Sequence, residues 1–90
     1  WDERKNKANF KKHGIWFEEA RSVFDDTSSR VFLDREHSSD REERFVIVGM
    51  SSVARLLVVV HCYRTKDSII RIISARKATK KEEKFYEEGI

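Results

Sequence analysis

Proline is absent from this 90-residue chain, and glycine, cysteine and methionine are scarce, at three, one and one. Each shortage closes something off. Three isolated glycines, Gly14, Gly49 and Gly89, form neither a phosphate-cradling loop nor a Gly-x-Ser-x-Gly nucleophile elbow. The single cysteine, Cys62, permits no intrachain disulfide and no paired zinc ligands; inside an apolar run it reads as a buried, inert thiol. His13, His37 and His61 stand at no metal-ligand spacing, and His37, in a polar acidic loop, reads as solvated. No apolar run approaches the roughly 20 residues of a membrane span, and no signal-peptide pattern is present, which points to a cytoplasmic protein without a membrane partner. Without repeats or low-complexity linkers, residues 1–90 read as one domain.

Charge is abundant. Charged residues make up 39% of the chain, against about 25% in ordinary soluble domains. With 19 basic and 16 acidic side chains the net charge is +3, which permits nucleic-acid binding without establishing it.

Hydrophobic period divides the chain. Asp2 is placed as the N-cap of a helix reaching about His13, with Gly14 as its stop and Lys11, Lys12 and His13 complementing the C-terminal dipole. Lys5, Asn9, Lys12 and His13 share one stripe of it, first of all a solvated face. A second helix is expected over 17–24 from the spacing of Phe17, Ala20 and Phe24. Trp16 stands where Ser or Thr would cap it, a poor cap for which core packing of the indole could compensate. The run Asp25-Asp26-Thr27-Ser28-Ser29 is a loop. Short β-branched segments then follow at 31–33, 44–50, 55–64 and 68–75, the pattern of an antiparallel meander. The central segments are apolar at successive positions, so both sheet faces need cover. Thr79-Lys80-Lys81-Glu82 has capping-box form and starts a last helix reaching about Glu88. The fold class is α+β.

Chemistry concentrates in the last third, where Arg64, Arg71, Arg76, Lys77, Lys80, Lys81 and Lys84 gather. Arg71 interrupts an apolar strand and must face solvent, an ion partner or an anionic ligand; a structural salt bridge and a phosphate contact fit the pattern equally. RNA cleavage without a metal needs a base, an acid and cations for phosphorane charge. His61 suits the acid–base roles, and also suits a hydrogen-bonded strand-end histidine. Tyr86 can stack a base or donate a proton, or pack beside Phe85.

Three blocks of residues resemble the BrnT toxin family. The first is Trp1-Asp2-Glu3-x-Lys5 with Asn9-x-x-Lys12-His13-Gly14-x-x-Phe17-Glu18-Glu19-Ala20. The second runs from Glu43-Arg44-Phe45 to Gly49-Met50-Ser51, and the third from Arg71-Ile72-Ile73-Ser74-Ala75-Arg76 through Thr79-Lys80-Lys81-Glu82 to Tyr86-Glu87. The resemblance implies a RelE-like fold of two N-terminal helices on an antiparallel sheet of about four strands plus a C-terminal helix, with a short strand ahead of Trp1. It implies a metal-independent RNA endonuclease without a cofactor, the toxin of a type II toxin–antitoxin pair, that stops translation. It also implies a ribbon-helix-helix antitoxin of BrnA type, a 2:2 hetero-tetramer, and operator DNA contacted only through the antitoxin.

Carried onto this chain, the family pattern puts weight on Lys12, His13, Ser74, Arg76, Glu82 and Tyr86. The expected catalytic set is Arg76 for phosphate charge, Tyr86, His61 and Glu82, the last also serving as a cap. The expected RNA contacts are Lys5, Asn9, Lys12, His13 and Arg71. Glu83 departs from relatives, which often carry a basic residue there, and subtracts positive charge from the expected RNA face. The rival reading is a non-catalytic RNA-binding or interaction subunit acting through its DNA-binding partner. DNA binding by the chain itself is weaker, since no helix has helix-turn-helix context.

Overall fold

The computed structural model describes residues 1–36, 38, 42–64 and 69–88. His37 therefore lies outside the described residues. Helix α1 (Glu3–His13) starts where expected: the Asp2 carboxylate accepts the Arg4 amide proton at 2.8 Å. It stops at Gly14, whose φ of 74° lets its N–H turn back to the Phe10 carbonyl at 2.7 Å, a left-handed conformation that glycine adopts without steric cost. Helix α2 (Phe17–Ser22) tightens into a 3-10 turn over Val23–Asp25, so the second helix is shorter than expected.

Trp16 gives α2 no side-chain cap. The expected compensation by core packing of the indole does not occur; the ring stacks on Phe10 at 4.1 Å between centroids, with both side chains exposed. The cap comes instead from α1, where Asn6 Oδ1 accepts the Phe17 amide proton at 2.7 Å and Asn6 Nδ2 donates to Glu18 at 2.8 Å.

Strands β1 (Arg30–Asp34), β2 (Glu43–Met50), β3 (Leu56–Arg64) and β4 (Ile69–Lys77) pair in sequence order, all antiparallel. This is the expected meander. Helix α3 (Lys80–Glu88) closes the chain. One irregularity matters: β3 and β4 slip between Val60 and His61, so Val60 faces Ser74 while His61 faces Ile72, and Ile73 has no opposite number. This β-bulge reverses side-chain parity along β4. Ile72 and Ala75, three apart, both join the core, and Arg71 falls on the same face as Ser74 and Arg76.

The core lies between the sheet and the N-terminal helices. Ile15, Phe17, Ala20 and Val23 pack on Ile47, Leu57, Val59, Ile72 and Ala75. On the opposite face Val48, Val58 and Cys62 are also buried, as continuous apolar strands require. There α3 crosses β2 and buries none of its own residues; Phe85 and Phe32 meet edge-on at 6.1 Å. At the free edge β1 exposes Val31, Phe32 and Leu33 together. Among the described residues no helix is long and apolar enough to cross a membrane.

Candidate active site

The C-terminal helix is placed by polar contacts, and those contacts assemble the site. Its capping box is formed: the Glu82 amide donates to Thr79 Oγ1 at 3.2 Å, and the Thr79 amide donates to Glu82 Oε1 at 2.8 Å. The same carboxylate takes both arms of the Arg76 guanidinium, Nη1 at 2.7 Å and Nη2 at 2.8 Å. Arg76 hydrogen bonding holds the Glu82 carboxyl down at about 2, against the opposing effect of burial and helped by the Thr79 amide. Glu82 in turn raises the Arg76 pKa. The pair is not sealed, since the Arg76 side chain keeps 43% of its exposure.

This pairing makes α3 acid-sensitive. A carboxyl depressed from its ordinary 4.5 to about 2 contributes stability above pH 4.5 and loses it as pH falls towards 2. In a partly exposed pair the contribution is under about 1 kcal/mol. The expected result is loss of helical ellipticity across that window, reduced in Glu82→Gln; identical acid profiles for the two proteins would contradict it.

One turn beyond Glu82, Tyr86 donates its hydroxyl proton to Asp26 Oδ2 at 2.6 Å. Asp26 is itself fixed: Oδ2 accepts the Met50 amide at 2.8 Å and Oδ1 the Ser28 amide at 2.9 Å. Burial pushes its carboxyl upward, but the hydrogen bonds from Met50, Tyr86 and Ser28 outweigh that and hold it below the usual value. The Asp26 carboxylate, with burial, raises the Tyr86 pKa, so the phenol keeps its proton at neutral pH. Helix α3 thus makes two tethers one turn apart, Glu82 to Arg76 and Tyr86 to Asp26.

The remaining candidates fall elsewhere. His61 is buried on the helix face, edge-on to Phe24 at 4.8 Å and stacked near Phe45 at 5.9 Å. Burial lowers its pKa, opposed by a long 3.5 Å contact from Nδ1 to the Val59 carbonyl. The sheet separates it from Arg76, because Cys62 and Val58, not His61, share the Arg76 face. The inert reading of Cys62 is matched by complete burial, which first among several causes raises its pKa.

Asn9 departs from the solvated stripe. Its amide bridges α1 to β4, with Nδ2 donating to the Ala75 and Ile15 carbonyls at 2.9 Å each and Oδ1 accepting the Ala75 amide at 3.1 Å. The reason is angular: residues four apart on a helix differ by about 40°, so Lys5 lies outside the boundary of the buried face and Asn9 inside it. Lys5 and Lys12 are exposed and His13 half-buried. Exposed Arg71 and Lys5 line one hollow of about 430 Å³ with Trp1 and Ile70. Among the described residues no group of three His, Cys, Asp or Glu side chains is arranged to hold a metal ion.

The family model for the ribonuclease toxin BrnT of type II toxin–antitoxin systems matches residues 1–82. The chain belongs to the BrnT family. No curated protein matches it. As a BrnT ribonuclease toxin it acts on RNA as an endoribonuclease and has an antitoxin protein as its partner. The matched residues take in Arg76 and Glu82 and end before Tyr86.

Two residues at this candidate site of the BrnT chain escape a reading along the sequence. Asp26 looks like a helix breaker, although an Asp two residues before a serine amide is the Asx-turn pattern that fixed its carboxylate here. Arg30 gives no signal in the sequence; it emerges only from strand pairing, which puts it across the sheet from Arg76 through Val48 and Val58.

Proposed function

We propose that this BrnT chain cleaves RNA without a metal ion and thereby stops translation in the cytoplasm, and that the rim of the sheet beneath α3 is its active site. The observation that carries this is the pair of tethers one turn apart on one helix, Glu82 to Arg76 and Tyr86 to Asp26, which hold a guanidinium and a protonated phenol beside α3.

The chemistry follows from those groups. The ribose 2′-hydroxyl gives its proton to solvent water and attacks the adjacent phosphorus, the 5′-oxygen leaves with a proton from Tyr86, and the products are a cyclic phosphate and a 5′-hydroxyl. Negative charge grows on the non-bridging oxygens, and a guanidinium fork such as Arg76 stabilises it. Glu82 positions that fork. Tyr86 supplies the proton for the departing oxygen by turning its O–H from Asp26 to the RNA. His61 fits a packing role, and Asn9 a structural one. Lys5, Lys12, His13 and Arg71 remain positioned to contact the RNA backbone. From the family resemblance we take the partner to be a ribbon-helix-helix antitoxin of BrnA type in a 2:2 assembly that reaches operator DNA through the antitoxin.

The test is purified chain incubated with RNA in the presence of a chelator. Cleavage is expected to persist, and to fall about 10²-fold in Arg76→Ala and in Tyr86→Phe, the size of one removed acid–base or charge contact. Expression of the chain alone should arrest growth, and the same variants should relieve the arrest. Folded variants with full activity would refute the site. RNA that binds yet stays intact would favour the second reading, an interaction subunit, which the exposed apolar edge of β1 supports.

A further inference from the structure

A second cation stands on the face that carries Arg76, and no role has been given to it. Arg30, Val48, Val58 and Arg76 are successive partners in one row across the four strands. Three strand spacings separate the two arginines, about 14 Å along the row. Beside Arg30, between the start of β1 and the end of α3, lies a hollow of about 710 Å³ lined by Arg30, Phe85, Tyr86, Glu87, Thr27 and Ser28 among others. Arg76 is held by Glu82 outside this hollow, so the two arginines serve different phosphates.

We propose that this hollow is an RNA phosphate subsite next to the scissile phosphate, with Arg30 as its cation.

Three observations support the assignment, which rests on the nuclease reading above. Arg30 differs from Arg55 and Arg76 in its partners. Those two are each paired with a carboxylate, Glu19 and Glu82, whereas Arg30 among the described residues meets only the Phe85 ring, 5.8 Å from its guanidinium carbon. Its Nε is buried without a hydrogen-bond partner. A half-buried guanidinium lacking a counter-ion is costly, and an anion arriving in the hollow relieves that cost.

The second observation is how Arg30 is held. The aromatic face of Phe85 orients the guanidinium without using its donors, leaving the outer nitrogens for an oxyanion. The third is composition: Arg30 and Tyr86 line the same hollow, so a strand whose phosphate Arg30 holds also runs past the proton-bearing phenol. Arg76, committed to Glu82, lines no wall of it.

The acids nearby do not cancel this. The Asp26 charge is met by three donors, from Met50, Ser28 and Tyr86. Glu87 is exposed, where solvent and salt screen it. It repels an anion in the hollow all the same, which supplies a second variant for the test.

A short fluorescent 2′-O-methyl oligoribonucleotide, which lacks the attacking hydroxyl and stays intact, reports binding by anisotropy across a salt series. Arg30→Gln is expected to weaken binding about 10-fold, as losing a charge-assisted contact does, and to reduce the salt slope by about 0.7, one phosphate's share on a single strand. Glu87→Gln is expected to tighten binding. If Arg30→Gln melts like the parent yet keeps its affinity and slope, the subsite is refuted while the nuclease reading stands. If Arg30→Gln does not fold, unchanged affinity in Glu87→Gln refutes the subsite. A parent chain that neither binds this probe nor cleaves RNA refutes both.

Discussion

Asn9→Asp is expected to destabilise the chain by about 4 kcal/mol, because breaking a buried polar network costs about 3–5 kcal/mol. A domain of this length has only about 5–13 kcal/mol in all. The substitution changes one NH2 to one oxygen and alters no volume. What it reverses is the direction of two hydrogen bonds. Asn9 Nδ2 donates to the carbonyls of Ile15 and Ala75, and a carboxylate would point lone pairs at both. The remaining acceptor contact, from the Ala75 amide, is kept but now by a charge shut away from water. Asn9→Ala removes the clash of lone pairs and leaves the Ala75 amide and carbonyl unpaired, so it should fall between parent and Asn9→Asp. Urea unfolding of the three proteins checks the order. Equal midpoints for Asn9→Asp and the parent would show that the bridge between α1 and β4 contributes nothing.

Gly49→Ala should cost about 3 kcal/mol, the upper end for overpacking a core. A Cβ at this position would stand 2.7 Å from Val23 Cγ1, 3.0 Å from Ser29 Cβ and 3.3 Å from Asp26 Oδ2. Val23 is fully buried and Ser29 would be met at its Cβ, so neither can move aside cheaply. The backbone of β2 would have to shift, and Met50, next along it, donates to Asp26. Loss of stability should therefore come with loss of the Tyr86–Asp26 contact. For a domain of this size the melting temperature should fall by roughly 12–24 °C. A fall of under about 2 °C would mean the β2 backbone and the 3-10 turn yield more easily than their packing indicates.

The limits of local sequence signals are plain in this chain. Asp2, Gly14 and the Thr79–Glu82 box place three helix ends within a residue because a cap is a contact between near neighbours. The four strands are equally legible, each a β-branched run between polar breaks. The site is legible in part. Glu82 was expected as a cap and serves as one, but its grip on Arg76 crosses from helix to strand. Contacts spanning the chain leave no such trace. Asn9 reaches Ala75, 66 residues on, and Asp26 reaches Tyr86, 60 residues on. Helical spacing puts Asn9 near Lys5, and only the strand packed beside it decides which of the two is inside. His61 is a related case: it shares strand parity with Leu57 and Val59, and that parity places it on the face away from Arg76.

The slip beside Val60 gives β4 two phases within one strand. Side chains before it and after it keep opposite alternations, and the single unmatched residue, Ile73, is the joint between them. Deleting that joint would exchange inside and outside on one flank, sending either a guanidinium into the apolar layer or Ile72 out to water. Substitution at Ile73 is thus a minor matter beside its removal. At that point the chain stores its information in the number of residues rather than in their kind.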